Sequence, residues 1–317
     1  MGLKRKRLSR SKKPFIMRAT ELCRNEGWNM GQMEKRACAE ADALAAFVAR
    51  MNEKAAEIGM NKSLFRDPAG IDNLSTAHDL LRLLICADRY RALDGIWNAP
   101  EYELVVMGDM PRKQTVESTV VQPYLEMYYH IIGGKTGTLT RYNARNLAVI
   151  LEIPGRRERL AVVELYADAP NGQFGSRFDA IRQIADAALE KLANPDLDLS
   201  DRDVCCKAAA ACLIPAAGAP VGADLPLLYA KNAEEVLVPA SVSKVLTAIC
   251  MLDEVDNLCE TFDYCQFDTE IGGFYAEDFL PGDVLTFHQG LHAMLLPSSN
   301  VTAMAIARTV GARLLKK

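Results

Sequence analysis

The chain has 317 residues, half of them hydrophobic and a quarter charged, with 20 Gly and 14 Pro. That length fits one large domain or two small ones, either able to bury a core. The composition excludes a disordered, collagenous or disulfide-stapled chain. Nine Cys without a CxxC pair exclude a zinc ribbon or a thioredoxin-type centre, and their odd number leaves at least one thiol unpaired. The formal charge of −4 hides an asymmetry: residues 1–36 carry eleven Lys or Arg against three Glu, the remainder 26 basic against 38 acidic. A basic tail thus precedes an acidic body. By composition the tail is expected to be solvated and disordered, with no specific nucleic-acid partner; contact with nucleic acid or an anionic surface through its charge alone is the alternative. Between Lys13 and Arg18 the apolar run after Pro14 is only Phe15, Ile16 and Met17, so no signal peptide is visible. The charge-free stretches 208–223 and 284–307 are broken by Pro, Gly, His and the polar run Ser298-Ser299-Asn300, so no transmembrane segment is expected.

The first clear element is an amphipathic helix over about 37–60, where Leu44, Phe47, Val48 and Met51 recur at i, i+3, i+4 and i+7. Asp67-Pro68-Ala69-Gly70 breaks the pattern, and a second helix is expected from Ser75 or Thr76 through Leu80, Leu81 and Leu84. Segments 102–107 and 115–121 read as short strands. Segments 129–138, 145–153 and 159–167 read as longer ones, with Pro154-Gly155 turning between the last two. Together they predict a mainly antiparallel sheet. A helix follows over 175–193 through Phe178, Ile181, Ile184, Ala188 and Leu192, and the polar stretch from Asn194 reads as a linker. Beyond it, 208–214 and 226–230 resemble a strand pair and 240–253 a helix. Segment 254–283 reads as irregular, punctuated by Gly272-Gly273 and Pro281-Gly282, and two helices flank Pro297.

Three runs are candidates for chemistry. In Pro239-Ala240-Ser241-Val242-Ser243-Lys244 a loop becomes a helix, and residues i and i+3 share a face, so Ser241 and Lys244 can touch. A serine hydroxyl is a poor nucleophile until a base takes its proton. Lysine serves as that base only with a lowered pKa, which burial and a second cation provide. The spacing alone is common; Ser9 and Lys12 repeat it within the tail. Ser298-Ser299-Asn300 alone reads as a helix N-cap. Gly133-Gly134-Lys135-Thr136-Gly137-Thr138 alone reads as a strand ending in a flexible turn. His288 and His292 are half of a helical metal site, but position 289 is Gln and no third ligand stands out. Cys205 and Cys206, beside the linker, read as accessible thiols.

Taken together, Ser241-x-x-Lys244, Ser298-x-Asn300 and Lys135-Thr136-Gly137 resemble the signature set of the penicillin-binding proteins and serine β-lactamases. Leu228-Tyr229-Ala230-Lys231-Asn232-Ala233, Phe47-Val48-Ala49-Arg50-Met51-Asn52 and Leu295-Leu296-Pro297 further resemble the low-molecular-mass D-alanyl-D-alanine carboxypeptidases. The resemblance covers about 37–193 and 208–315. One departure is large: the family places the nucleophile motif first and Lys-Thr-Gly last, whereas Lys135 here precedes Ser241. Moving 37–193 to follow Leu315 restores the order, so the chain resembles a circularly permuted member. After the tail, 37–193 would be the C-terminal half of one catalytic domain, 194–207 the splice, and 208–317 the N-terminal half. Termini of compact domains often lie close together, which permits such rewiring. A monomer and a domain-swapped dimer are both open.

The resemblance implies an α/β (α+β) fold of the β-lactamase/transpeptidase type, a mainly antiparallel sheet flanked by helices plus a helical lobe. It implies a serine peptidase that removes the terminal D-alanine of peptidoglycan stem peptides through an acyl-enzyme, with β-lactam antibiotics as covalent inhibitors and no cofactor or metal. Ser241 would attack the D-Ala-D-Ala carbonyl, Lys244 would take its proton, and Ser298 would relay it to the departing D-alanine. Asn300 would hold the substrate amide, while Lys135 and Thr136 would bind its carboxylate. Gly137 would give the peptide access to the strand edge. The N–H groups of Ser241 and Thr138 would form the oxyanion hole. A β-lactamase is the runner-up, but its Glu-x-x-Leu-Asn motif is not found, and Glu101 and Glu103 lack that context. A catalytically idle penicillin-binding protein is the non-enzyme reading. The intact motifs speak against it, and the missing export signal for it, because the family acts outside the cytoplasmic membrane. Asn143-Ala144-Arg145-Asn146 lacks the glycine the family places before the asparagine, which is expected to alter loop shape alone.

Overall fold

The computed structural model of the protein describes residues 30–167, 176–214, 225–271 and 279–317. Helices α1 (Met30–Glu57) and α2 (Ala77–Ala87) precede a hairpin of β1 (Glu101–Gly108) and β2 (Arg112–Glu117), followed by the single turn α3 (Pro123–Glu126). Strands β3 (Ile131–Leu139), β4 (Ala144–Glu152) and β5 (Arg159–Ala167) lead to α4 (Ser176–Ala193). Next come β6 (Cys206–Leu213), β7 (Leu227–Lys231), a 3-10 turn (Ala240–Ser243) and α5 (Lys244–Glu254). The chain continues through β8 (Thr261–Asp263), α6 (Gln266–Ile271), β9 (Asp283–Thr286), α7 (Phe287–Leu295) and α8 (Asn300–Leu314).

The architecture is mixed α/β with two antiparallel sheets, the smaller ordered β2-β1-β9-β8 and the larger β3-β4-β5-β6-β7. In the larger sheet β3 to β5 precede the linker and β6 and β7 follow it, so the β5–β6 ladder joins distant parts of the chain in one sheet. Both faces are covered, which is why 147–151, 160–163 and 208–212 are unbroken apolar runs rather than alternating ones. Ala148, Ile150, Ala161, Val163 and Ala210 share one core with α1, α2 and α5. Leu147, Val149, Leu160, Val162 and Ala211 pack with Ile181, Ile184 and Ala188 of α4.

Helix α8 is the axis of the helical lobe, burying Val301, Ala303, Met304, Ala305, Ile306, Ala307 and Val310. Its all-round burial, with that of α7, accounts for the charge-free stretch 284–307. Among the described residues no helix is long and apolar enough to cross a membrane. Helix α1 lies so close to α8 that a Cβ on Gly311 would stand 1.9 Å from the Ala43 carbonyl oxygen. Lys54 pairs with Asp253 at 2.7 Å, and Tyr90 donates to the same carboxylate at 2.7 Å, tying α1, the end of α2 and α5 together.

Several expectations need correction. Helix α1 begins at Met30, so the tail expected over 1–36 overlaps it; residues 1–29 lie outside the described residues, as do Gly272-Gly273 and Pro215 through Gly222. The charge of 34–36 masked that helical start. Strand β2 occupies Arg112–Glu117 rather than 115–121, because only Val116 of it is buried and the strand carries no apolar run. The segment expected to be irregular holds β8 and α6 and ends at the first residue of β9, elements of 3, 6 and 4 residues, too short to show a period. Cys205 is exposed in the bend before β6, but Cys206, the first residue of that strand, is buried. The polar linker packs against the body: Lys191 Nζ donates to Leu197 O at 2.6 Å and Tyr229 OH to Arg202 O at 2.9 Å.

The two α7 histidines have a packing role. Their rings are 4.8 Å apart, His292 stacks on Tyr102 at 3.6 Å, and its Nδ1–H donates to His288 O at 3.0 Å. Among the described residues no group of three or more His, Cys, Asp or Glu is arranged to hold a metal ion. Burial lowers the His292 pKa from 6.5 to about 4. Between those values the unfolded chain binds more protons than the folded one, so stability falls as pH drops through that window. The loss ascribed to His292 is about 1–3 kcal/mol. In urea titrations at pH 6.5 and pH 4, His292→Phe is expected to show a smaller decline than the unaltered protein; equal declines would remove His292 as the source.

Candidate active site

Ser241 sits in the 3-10 turn and Lys244 is the first residue of α5. In a 3-10 turn residues i and i+3 eclipse, so the two side chains stack more directly than on an α-helix. Lys244 Nζ lies 2.8 Å from Ser241 Oγ, 2.7 Å from the Ala69 carbonyl oxygen and 2.7 Å from Asn300 Oδ1. Lys244 is fully buried. Ala240, just before the serine, is held at φ +50°, a left-handed conformation that costs an alanine free energy and is tolerated only where packing enforces it. The enforcing neighbours are two glycines. A Cβ on Gly70 would lie 2.0 Å from Ala240 O, and one on Gly137 would lie 2.5 Å from Pro239 O.

Strand β3 therefore runs against the serine turn, and Gly137 is needed for that approach; the strand-edge access expected of it is a separate matter. Lys135, on the same strand, is fully buried and donates to Thr136 O at 3.2 Å and Thr136 Oγ1 at 3.4 Å. Burial pushes its pKa well below the usual lysine range, and the charges of Lys244 and Arg177 push the same way, with no carboxylate opposing. Thr136 Oγ1 is 2.7 Å from Thr119 Oγ1, which in turn donates to Leu296 O at 3.1 Å. Arg177, at the start of α4, donates to Thr138 Oγ1 at 3.0 Å, and its own pKa is lowered chiefly by burial. Beneath it, burial pushes Glu164 well above the carboxylate range, with Arg177 opposing.

These groups surround a cleft of about 1170 Å³, lined by Ser241, Ser298, Asn300, Thr136, Thr138 and Arg177 among others. All eight residues singled out in the sequence thus converge, with Lys135 and Lys244 buried behind the wall. Ser298, at φ +75°, makes no side-chain hydrogen bond among the described residues. The N-cap reading of its run is also realised, by a different residue: Ser299 Oγ accepts from Thr302 N at 3.0 Å. Asn300 lines the cleft and, through its Oδ1, accepts from Lys244 Nζ. Glu101 and Glu103 lie exposed on β1, outside the cleft lining.

Three contributors were missed in the sequence. Arg177 looked like one more charge on an amphipathic helix. Thr119 had no motif around it. The Asp67-Pro68-Ala69-Gly70 run looked only like a helix breaker, yet it delivers a carbonyl to Lys244. In the Asn143-Ala144-Arg145-Asn146 loop, Asn143, at φ +51°, takes the left-handed turn position, and Asn146 donates to Val238 O at 2.9 Å while accepting from Tyr166 N at 3.0 Å.

A 47-residue stretch of the chain is 47% identical to the D-alanyl-D-alanine endopeptidase of Escherichia coli (strain K12), covering 14% of this chain and 15% of that protein. The match thus spans well under two thirds of that relative's length. No family model and no solved structure matches the chain.

Proposed function

We propose that the protein is a serine peptidase acting on D-Ala-D-Ala peptides of peptidoglycan, a carboxypeptidase with the chain order of its family circularly permuted. The carrying observation is the setting of Lys244. Among the neighbours of its Nζ, the Ala69 carbonyl and Asn300 Oδ1 can only accept hydrogen bonds. A neutral amine has two N–H groups to give them, which leaves its lone pair for the Ser241 hydroxyl at 2.8 Å. That is the arrangement a general base needs.

In the mechanism Ser241 Oγ attacks the carbonyl carbon of the penultimate D-alanine as Lys244 takes its proton. The N–H groups of Ser241 and Thr138 receive the developing oxyanion. The C–N bond then breaks, Ser298 passes a proton to the departing amine, and water hydrolyses the ester. Lys135, Thr136 and Arg177 form the positive end of the cleft, suited to the terminal carboxylate. A carboxylate arriving there favours the charged form of Lys135, and repulsion from that charge holds Lys244 neutral.

The permutation reading is supported by the β5–β6 ladder and by Gly311 lying against Ala43, where the two family segments would otherwise be joined. Fluorescent penicillin is expected to label the protein covalently and Ser241→Ala not at all; an unlabelled parent protein would remove Ser241 as the nucleophile. Release of D-alanine from diacetyl-Lys-D-Ala-D-Ala marks a carboxypeptidase. The local similarity to a protein named as an endopeptidase favours a second reading, which cleavage of a cross-linked muropeptide dimer would mark instead.

A further inference from the structure

The loop before α2 holds a carboxylate outside the three motifs. Asp67 is buried, and four consecutive amides point at it. Ala69 N, Gly70 N and Ile71 N donate to Oδ1 at 2.9, 2.6 and 3.0 Å, and Ile71 N and Asp72 N to Oδ2 at 3.0 and 2.7 Å. Asn73 closes the ring, accepting from Arg66 N at 2.8 Å and Asp67 N at 3.1 Å while donating to Asp67 O at 2.9 Å.

The peptide bonds here are trans, so in each unit the C=O points away from the N–H. Turning Ala69 N–H onto Asp67 sends the Pro68 carbonyl outward, where it accepts from Thr247 Oγ1 at 2.7 Å. Turning Gly70 N–H onto Asp67 sends the Ala69 carbonyl outward, where it meets Lys244 Nζ at 2.7 Å. One carboxylate thereby sets the direction of both oxygens that receive α5. Gly70, at φ +92° and pressed on Ala240 O, carries the same loop onto the serine turn.

We infer that Asp67 is a positioning residue for the reaction proposed above: by orienting the Ala69 carbonyl it holds the Lys244 amine with its lone pair on Ser241. The inference rests on that reading of Ser241 and Lys244. Asp67 touches no substrate. Among the groups facing the Lys244 amine are the Ala69 carbonyl from this loop, Ser241 from its own turn, Asn300 from α8 and Lys135 from β3.

The test is stopped-flow acylation by fluorescent penicillin over pH 5–9, resolved into a non-covalent binding constant and an acylation rate constant. For Asp67→Ala the acylation rate constant is expected to fall about 10- to 100-fold, because a misplaced base loses its near-attack geometry. Binding should stay within about twofold, since the cation end of the cleft is untouched. The acid limb of the pH profile should move to lower pH, because a carbonyl acceptor stabilises the ammonium form of Lys244 and its loss eases deprotonation. Asp67→Asn, keeping one acceptor oxygen, should fall between. If Asp67→Ala does not fold, Thr247→Val removes the neighbouring anchor and should give a smaller loss with a shift of the same sign. A labelled parent protein with unchanged acylation or an unmoved acid limb in these variants overturns the inference alone. An unlabelled parent overturns it together with the reading beneath it.

Discussion

Substituting Lys135 by methionine is expected to make the protein harder to unfold and nearly inactive. Lys135 is fully buried, its charged form disfavoured by Lys244 and Arg177, and among the described residues it is hydrogen-bonded only to Thr136. Burying a lysine without a counter-charge costs free energy, which its lowered pKa reflects, that an apolar side chain of similar length does not. Methionine is therefore expected to add about 1–3 kcal/mol of stability, or roughly 2–6 °C in melting temperature for a chain of this size. The same change removes the charge that Lys135 takes up when a carboxylate arrives, and with it the field on Lys244. Acylation by penicillin should fall about 100- to 1000-fold. Thermal melts and labelling kinetics on one preparation read both signs. A lowered melting temperature would mean that the folded protein compensates Lys135 and that its cost is not being spent on a ligand.

The second large effect is expected at Gly311. Valine there places a Cβ 1.9 Å from the Ala43 carbonyl oxygen, backbone against backbone, with no flexible side chain to give way. Helix α1 must then lift from α8, at a cost of about 3 kcal/mol or more. The urea midpoint should drop accordingly, while the folded fraction still acylates at Ser241, because Gly311 is remote from the cleft lining. An unchanged midpoint would show that the helices do not need this contact. The position matters to the permutation proposal, since it is there that two stretches meet which the family connects covalently.

Much of the framework could be read from the chain because burial on both faces wrote itself into composition. Segments 145–153 and 159–167 were recognisable as strands from Ile, Val and Leu alone, and the structure places β4 and β5 there within a residue or two. The site was legible for a different reason: Ser241, Lys244, Ser298, Asn300 and Lys135 stand at spacings whose chemistry is familiar. What escaped were groups acting through the backbone. Asp67 works by accepting amide hydrogens and Gly70 by lacking a side chain, and neither role has a periodicity. Arg177 escaped because a basic residue at the head of a surface helix looks ordinary until β3 is brought beside it. The four-stranded sheet escaped because β1 finds its partner β9 far along the chain through Met107 and Gly108 opposite Val284 and Asp283, a pairing no local pattern encodes.

During synthesis β5 leaves the ribosome well before β6. At about 5–20 residues per second the interval is on the order of seconds. Throughout it the apolar strand from Leu160 to Leu165 presents an unpaired edge, and α1 and α2 have neither α5 nor α8 to pack against. Under the permutation proposal, the unpermuted order would have the hairpin of β6 and β7 already waiting when β5 emerged. Here the edge must wait for its partner, and on a crowded messenger the neighbouring nascent chain offers an identical β6. The share of strand-exchanged molecules would then be decided by ribosome spacing and chaperone supply, before the stability of the finished fold has any say.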